Sequence, residues 1–184
     1  MKEKILILTL FVAFFSGKVI AQNGTFTLKS NDLGGQFSTE QVYYHFGCNG
    51  RNISPQLFWE NYPKETRSFA LTVYDPDAPT GSGWWHWLIF NIPVSITELP
   101  KGAGNPKNNF LPETVTQSIN DYGEYGYGGP CPPQGDKPHG YIITLYALKV
   151  EKINLGKDTN PATVGFYLNS NAIAKASLLI YYRR

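Results

Sequence analysis

Of the 184 residues, 42% are hydrophobic, 15% aromatic and 16% charged, with a formal charge of +2. Lys2, Lys4 and Lys18 against Glu3 account for all of that excess, so the chain from Gln22 onward carries none. A chain so balanced, with no lysine- or arginine-rich stripe, lacks the means to neutralise a phosphate backbone, and no nucleic-acid partner is expected.

The N-terminus has a short basic start, an almost unbroken apolar run from Ile5 to Phe15, and Val19-Ile20-Ala21 before a cleavage point. This pattern predicts a secretory signal over residues 1–21, too short for a comfortable membrane span. No Cys follows to carry a lipid, and nothing later is able to cross a bilayer once the signal is removed. The expected product is an exported protein, periplasmic or secreted, with one domain over residues 22–184. Its two cysteines, Cys48 and Cys131, then meet an oxidising compartment, where one disulfide between them is the first expectation.

Short β-rich runs follow between turn signals: Thr25–Lys29, Leu57–Trp59, Arg67–Tyr74, Trp84–Ile92 and Tyr141–Val150. They are dense in aromatic and β-branched residues and bounded by Pro, Gly, Asn or Asp, which predicts an antiparallel sandwich rather than alternating βα units. Between the fourth and fifth runs lies a long stretch, Lys101 to Pro138, whose densest part is GEYGYGGPCPPQG, Gly123 to Gly135. Prolines there fix φ and glycines permit left-handed turns, so the backbone is held on an irregular path. Such a backbone either turns N–H groups toward an anion or is simply a rigid surface turn. A helix is predicted near the C-terminus. Asn160 caps it, Pro161 suits its first turn, and Val164, Leu168, Ala172, Ala176 and Leu179 form one apolar stripe.

The residues with chemistry lie at strand ends. Alternation puts Asp75 on the face of Phe69, Leu71 and Val73, with Asp77 two residues on and Pro79 stiffening the exit. Alone, an Asp-Pro-Asp is an ordinary capped turn. His86, in WWHW, alternates with Trp85 and Trp87 and shares its side with Trp84, Leu88 and Phe90; alone, it is a core histidine. His139 opens the last strong β run with Tyr141 on its face. Together, two imidazoles, a hydroxyl, a carboxylate and a glycine-rich loop are a set suited to a small anion.

The chain resembles the phosphatidylethanolamine-binding proteins, in their bacterial and archaeal Raf kinase inhibitor-like branch. The resemblance rests on CNGRNISPQLFW, SFALTVYDPDAP, WWHWLIFNIP, NDYGEYGYGGPCPPQG and HGYIITLYAL, which together cover most of the chain after the leader. It implies a mainly β fold, two antiparallel sheets with Greek-key links and a C-terminal helix. It also implies a small pocket for phosphate-like anions and phospholipid headgroups, needing no cofactor. Carried over residue by residue, its wall is Asp75, Asp77, Pro79, His86, Gly129, Pro130, Pro132, His139 and Tyr141. The N–H groups around Gly129 and both histidines would hold the anion, and Asp75 would orient a histidine or meet an ammonium group. Relatives include inhibitors of kinases and proteases, so a protein target is a further implied partner, though an exported chain has no access to cytosolic kinases.

One departure from the family pattern is Gly140, where relatives commonly carry Arg; its side chain would point away from the His139 and Tyr141 face, so the loss should touch an ion pair rather than the pocket. Two other chemistries use the same residues. Cys131 with His139 would make a hydrolase nucleophile and base. Asp75, Asp77, His86 and His139 would suit zinc or iron, although their spacing matches no compact metal motif.

Overall fold

The computed structural model describes residues 24–184; the expected signal over 1–21 and its cleavage point lie outside them. Eight strands form in chain order: β1 Thr27–Lys29, β2 Leu57–Glu60, β3 Ser68–Asp75, β4 Trp84–Pro93, β5 Glu98–Leu99, β6 Thr116–Gln117, β7 His139–Leu148 and β8 Ala172–Tyr182. One helix, α1 Pro161–Asn171, precedes β8. All pairings between these strands are antiparallel, in a three-stranded sheet of order β1-β2-β5 and a five-stranded sheet of order β6-β4-β3-β7-β8.

The five-stranded sheet is covered on both faces. Phe69, Leu71, Val73, Ile89, Ile143 and Leu145 pack toward Leu28, Leu57 and Trp59 of the smaller sheet. Ala70, Leu88, Phe90, Tyr146 and Leu148 pack on the other face against Val164 and Leu168 of α1. This explains why β3 and β4 read as nearly continuous apolar runs, whereas clean alternation marks a sheet with one wet face. Each fully buried large side chain here contributes about 1.5–3 kcal/mol of transfer free energy.

The helix is shorter than its predicted stripe. Asn160 caps it by accepting from Ala162 N at 2.9 Å, as expected, but it ends at Asn171. Ala172, Ala176 and Leu179 belong instead to β8, which pairs with β7 along nearly its whole length. The spacing misleads because a step of four residues satisfies a two-residue period as well as a helical one. Ala176 lies on the inner face of β8, whereas a register shift turns Ala172 toward the helix side, and Leu179 falls on the outer face and is half exposed. Two-residue strands β5 and β6 are too short to leave a periodic signal.

A bulge at the start of β4 changes which residues share a face. Val73 pairs with Trp87 and Tyr74 with Trp85, so His86 is an extra residue opposite no partner. Trp87 joins the inter-sheet core, while Trp85 packs beneath α1 against Gly165. The expectation that His86 shares its side with Leu88 and Phe90 is thereby corrected. Those two face the helix, and His86 turns toward Tyr141, with ring centroids 5.1 Å apart.

Candidate functional site

A cavity of about 360 Å³ opens where the ends of β3, β4 and β7 meet the segment that follows β8. Asp75, Pro79, His86, Pro132, His139 and Tyr141 line it, as do Phe46, Trp84, Tyr122 and Arg184. A larger depression of about 490 Å³ around Phe110 and Tyr125 lies elsewhere. There Tyr125 donates to Asp158 and Lys157 sits over its ring.

Asp75 ends β3 with its carboxylate buried. Oδ1 accepts from the backbone N–H groups of Asp77 and Ala78 at 2.8 and 3.1 Å, closing the turn that DPDAP predicts. Oδ2 meets His139 Nδ1 at 2.7 Å. His139 Nε2 reaches the carboxylate of Asp136 at 3.2 Å, so this fully buried ring stands between two carboxylates. Burial opposes its charge, but Asp75 and Asp136 together outweigh burial and raise its pKa above the ordinary histidine value.

His86 is in the opposite state. Its Nδ1 lies 2.7 Å from Gly128 O and 3.1 Å from Gly129 O. Carbonyl oxygens only accept, so Nδ1 carries the proton and Nε2 is left as a lone pair. Complete burial pushes its pKa down to about 4, against the smaller pull of the carbonyls and Asp75. His86 is therefore a neutral acceptor at pH 7 and not the donor that the sequence suggested.

Nor does the loop offer the expected N–H groups at Gly129. Its N–H donates to Asn52 Oδ1 at 2.7 Å, and that of Gly128 donates to His86 O at 2.8 Å. Glycine is required at 129 for another reason: a Cβ there would sit 1.9 Å from Gln41 O. The loop thus packs against the 41–43 segment and turns carbonyls toward His86. Gly129 and Pro130 lie behind the wall, with Pro130 O accepting from Tyr43 N.

Asp77 also lies outside the cavity lining. Its carboxylate accepts from Gly140 N at 2.9 Å and from Lys137 Nζ at 2.7 Å. These bonds, Lys137 first, lower its pKa. A side chain at 140 would project toward Asp77, since a Cβ there lies 3.6 Å from its Oδ2. The Gly140 departure therefore bears on this surface pair, and Lys137 supplies the cation.

Phe46, Tyr122 and Arg184 are among the lining residues that escaped the sequence reading. Cys48 and Cys131 form a disulfide, Cα atoms 6.1 Å apart, which brings Phe46 to the cavity mouth beside the proline loop. Tyr122 stands between Tyr43, His86 and Trp84. Arg184 binds Pro132 O through Nε at 2.9 Å and Gly47 O through Nη1 at 2.7 Å, bridging the two disulfide-linked loops. The register that pairs Tyr182 with His139 puts Arg184 there, a register that the sequence reading, with its helical stripe continuing to Leu179, did not contain.

Two buried polar atoms in this wall, Tyr141 Oη and Trp84 Nε1, have no hydrogen-bond partner. Burial raises the Tyr141 pKa well above the ordinary tyrosine value, so its hydroxyl keeps its proton. Buried donors without partners cost about 1–3 kcal/mol each, which a ligand oxygen would relieve. The hydrolase reading falls here, because Cys131 sulfur is bonded to Cys48 and is no nucleophile. Among the described residues no group of three His, Cys, Asp or Glu side chains converges as a metal site. No helix among them is long and apolar enough to cross a membrane.

A family model for phosphatidylethanolamine-binding proteins matches residues 28–183. The UPF0098 protein YbcL of Escherichia coli is 48% identical over 181 residues, which cover 97% of this chain and 98% of that protein. YbhB of the same organism is 43% identical over 153 residues, 82% of this chain and 96% of that one. The crystal structure of YbcL, described as a member of the mammalian family, superposes with a TM-score of 0.84 at 49% identity and covers 86% of this chain and 98% of its own. A homologue from Chlamydia trachomatis superposes at 0.71 with 28% identity, covering 89% and 99%.

Proposed function

The chain belongs to the phosphatidylethanolamine-binding protein family, and from that premise we propose that it is an exported binding protein for a small phosphate-bearing ligand, such as a phospholipid headgroup. One observation carries the reading. The unpartnered hydroxyl of Tyr141 and indole N–H of Trp84 belong to the same cavity wall as a fixed guanidinium, Arg184. Two desolvated donors beside a permanent cation are what an oxyanion needs. Phe46, Tyr122, Pro132 and Pro133 give the mouth an apolar rim suited to whatever the anion is attached to. Of the residues implied by resemblance, Asp75, Pro79, His86, Pro132, His139 and Tyr141 form the wall, while Asp77, Gly129 and Pro130 support it from behind or beside.

The protein binds without turning over its ligand. The wall contains no free thiol, and its carboxylate Asp75 is committed to His139 and the turn. Action on a target protein would follow from occupancy of this cavity, whose exposed Phe46 marks the surface a partner would meet. Titration with phosphoethanolamine, followed through the His86 and His139 ring resonances, tests the reading. Saturable shifts at both rings are expected; no response at millimolar ligand overturns it.

A further inference from the structure

We propose that the cavity takes its anion together with one proton, held between a ligand oxygen and His86 Nε2. His86 thereby selects oxyanions that bring a proton over those of equal shape and charge that carry none. This rests on the anion reading above and narrows it to a class, a phosphomonoester bound as the monoanion, such as a free headgroup ester; the diester of an intact phospholipid, which carries no such proton, is disfavoured.

Hydrogen-bond bookkeeping is the argument. Unlike Tyr141 Oη and Trp84 Nε1, which offer hydrogens, the free nitrogen of His86 offers a lone pair. Its partner nitrogen is fixed as the donor by two carbonyls of one rigid loop, Gly128 O and Gly129 O. No described residue donates to Nε2, and the ring is almost wholly buried, 2% exposed. A bare oxygen pressed against that lone pair would be repelled in a site from which water is displaced. A P–OH group would instead complete the pairing.

The charges facing His86 agree. Asp75 at the end of β3 and His139 at the start of β7 form a pair, and Tyr141 of β7 and Tyr122 of the loop are neutral. Farther out, Asp136 meets His139, Asp77 meets Lys137, and Arg184 is the remaining cation. With Asp75, Asp136 and Asp77 set against His139, Lys137 and Arg184, the site holds no surplus of cations even when His139 is protonated. A monoanion enters such a site at lower desolvation cost than a dianion. Burial of His86, which keeps it neutral down to a pKa of about 4, leaves the ligand as the source of the proton.

Calorimetry with methyl phosphate and methyl sulfate tests the idea. At pH 5 both are monoanions of similar shape, and only methyl phosphate carries a proton, since the second pKa of such esters is about 6. Methyl phosphate is expected to bind roughly 5- to 100-fold more tightly, the range set by one buried hydrogen bond made or unmade. Above pH 6 its affinity should fall by about tenfold per pH unit, with close to one proton taken up per ligand, read from the dependence of heat on buffer. The ¹⁵N shifts of the free protein should show His86 as the neutral Nδ1–H tautomer from pH 5 to 8. If both esters bind alike and no proton is taken up, this inference falls and the anion reading stands. If neither binds at any pH, the anion reading falls and this inference with it.

Discussion

Burial and hydrogen bonding act on the two site histidines in opposite directions, and each direction has its own pH consequence. His86 holds its folded-state pKa near 4 against an ordinary value near 6.5, so the unfolded chain binds its proton first as pH falls. Stability should therefore decline from about pH 6.5 downward, by about 3 kcal/mol once pH is below 4. His139 is raised, so its contribution is complete below the unfolded value and is lost as pH rises through the folded one. Urea unfolding at a series of pH values should show a maximum near neutrality, and the His86 ring should titrate well below His139. The reverse order of titration would sink the assignment. Asp75→Asn keeps the acceptor for Asp77 N and Ala78 N but removes the charge opposite His139. Burial then dominates: the His139 pKa should drop, with a loss of about 3–5 kcal/mol for a broken buried pair. An unchanged His139 titration in that variant would refute the pairing. Alternation placed Asp75 and His139 at strand ends, and the family resemblance implied that Asp75 would orient a histidine, but neither specified His139 as the one it meets. The tautomer of His86 was not legible, because it depends on carbonyls more than forty residues away in the chain, turned inward by a loop whose path no local pattern specifies.

β7 and β8 show how an element can hide. Ala172-Ile173-Ala174-Lys175-Ala176 is rich in helix formers, yet ten residues of antiparallel ladder with β7 prevail over local propensity. The strands β2, β3, β4 and β7 were legible because they are aromatic and β-branched runs closed by Gly, Pro or Asp. β8 was hidden by alanine, which fits either period. The pairing also explains why Gly140 is tolerated: Leu179 and Tyr181 of β8 shield its position, and Lys137 occupies Asp77. A Cβ at 140 would lie 3.2 Å from Leu179 Cδ1, the end of a half-exposed and flexible side chain that is able to move aside. Gly140→Arg should therefore stabilise the protein by about 0.5–1 kcal/mol, through reduced chain entropy and a second cation for Asp77. Ligand affinity should not change, because this side chain faces away from the cavity. Chemical denaturation and a parallel titration check both; a net loss of stability would mean that Leu179 does not yield.

Across the whole molecule the site is an end-on structure, assembled from strand termini by two loops with few regular hydrogen bonds of their own. Those loops are joined by the Cys48–Cys131 bond, which closes a loop spanning 83 residues, by the Arg184 bridge, and by the Tyr43 N–Pro130 O and Gly129 N–Asn52 Oδ1 bonds. Closing so long a loop restricts the unfolded chain by about 4.5 kcal/mol in the chain-entropy account. That contribution is present only where thiols oxidise, so the proposed export would supply the compartment that the site's integrity depends on. Expressed with its leader, the chain should be recovered outside the cytosol beginning at Gln22, with no reactive thiol. Expressed without residues 1–21 in a reducing cytosol, it should carry two free thiols and unfold at lower denaturant by about that amount. The paired variant Cys48→Ser with Cys131→Ser should behave as the reduced form in either compartment, since the sandwich core is independent of the bond. Ligand affinity is the sharper measure. With the bond cut, the loops keep the Arg184 bridge and the Tyr43 N–Pro130 O and Gly129 N–Asn52 Oδ1 bonds, but Phe46 and Pro132 lose their covalent tie, and the apolar mouth should loosen before the strands do. N-terminal sequencing, thiol counting and phosphoethanolamine titration of the three preparations separate these effects. Equal affinity in oxidised and double-serine protein would show that the loops hold the cavity unaided.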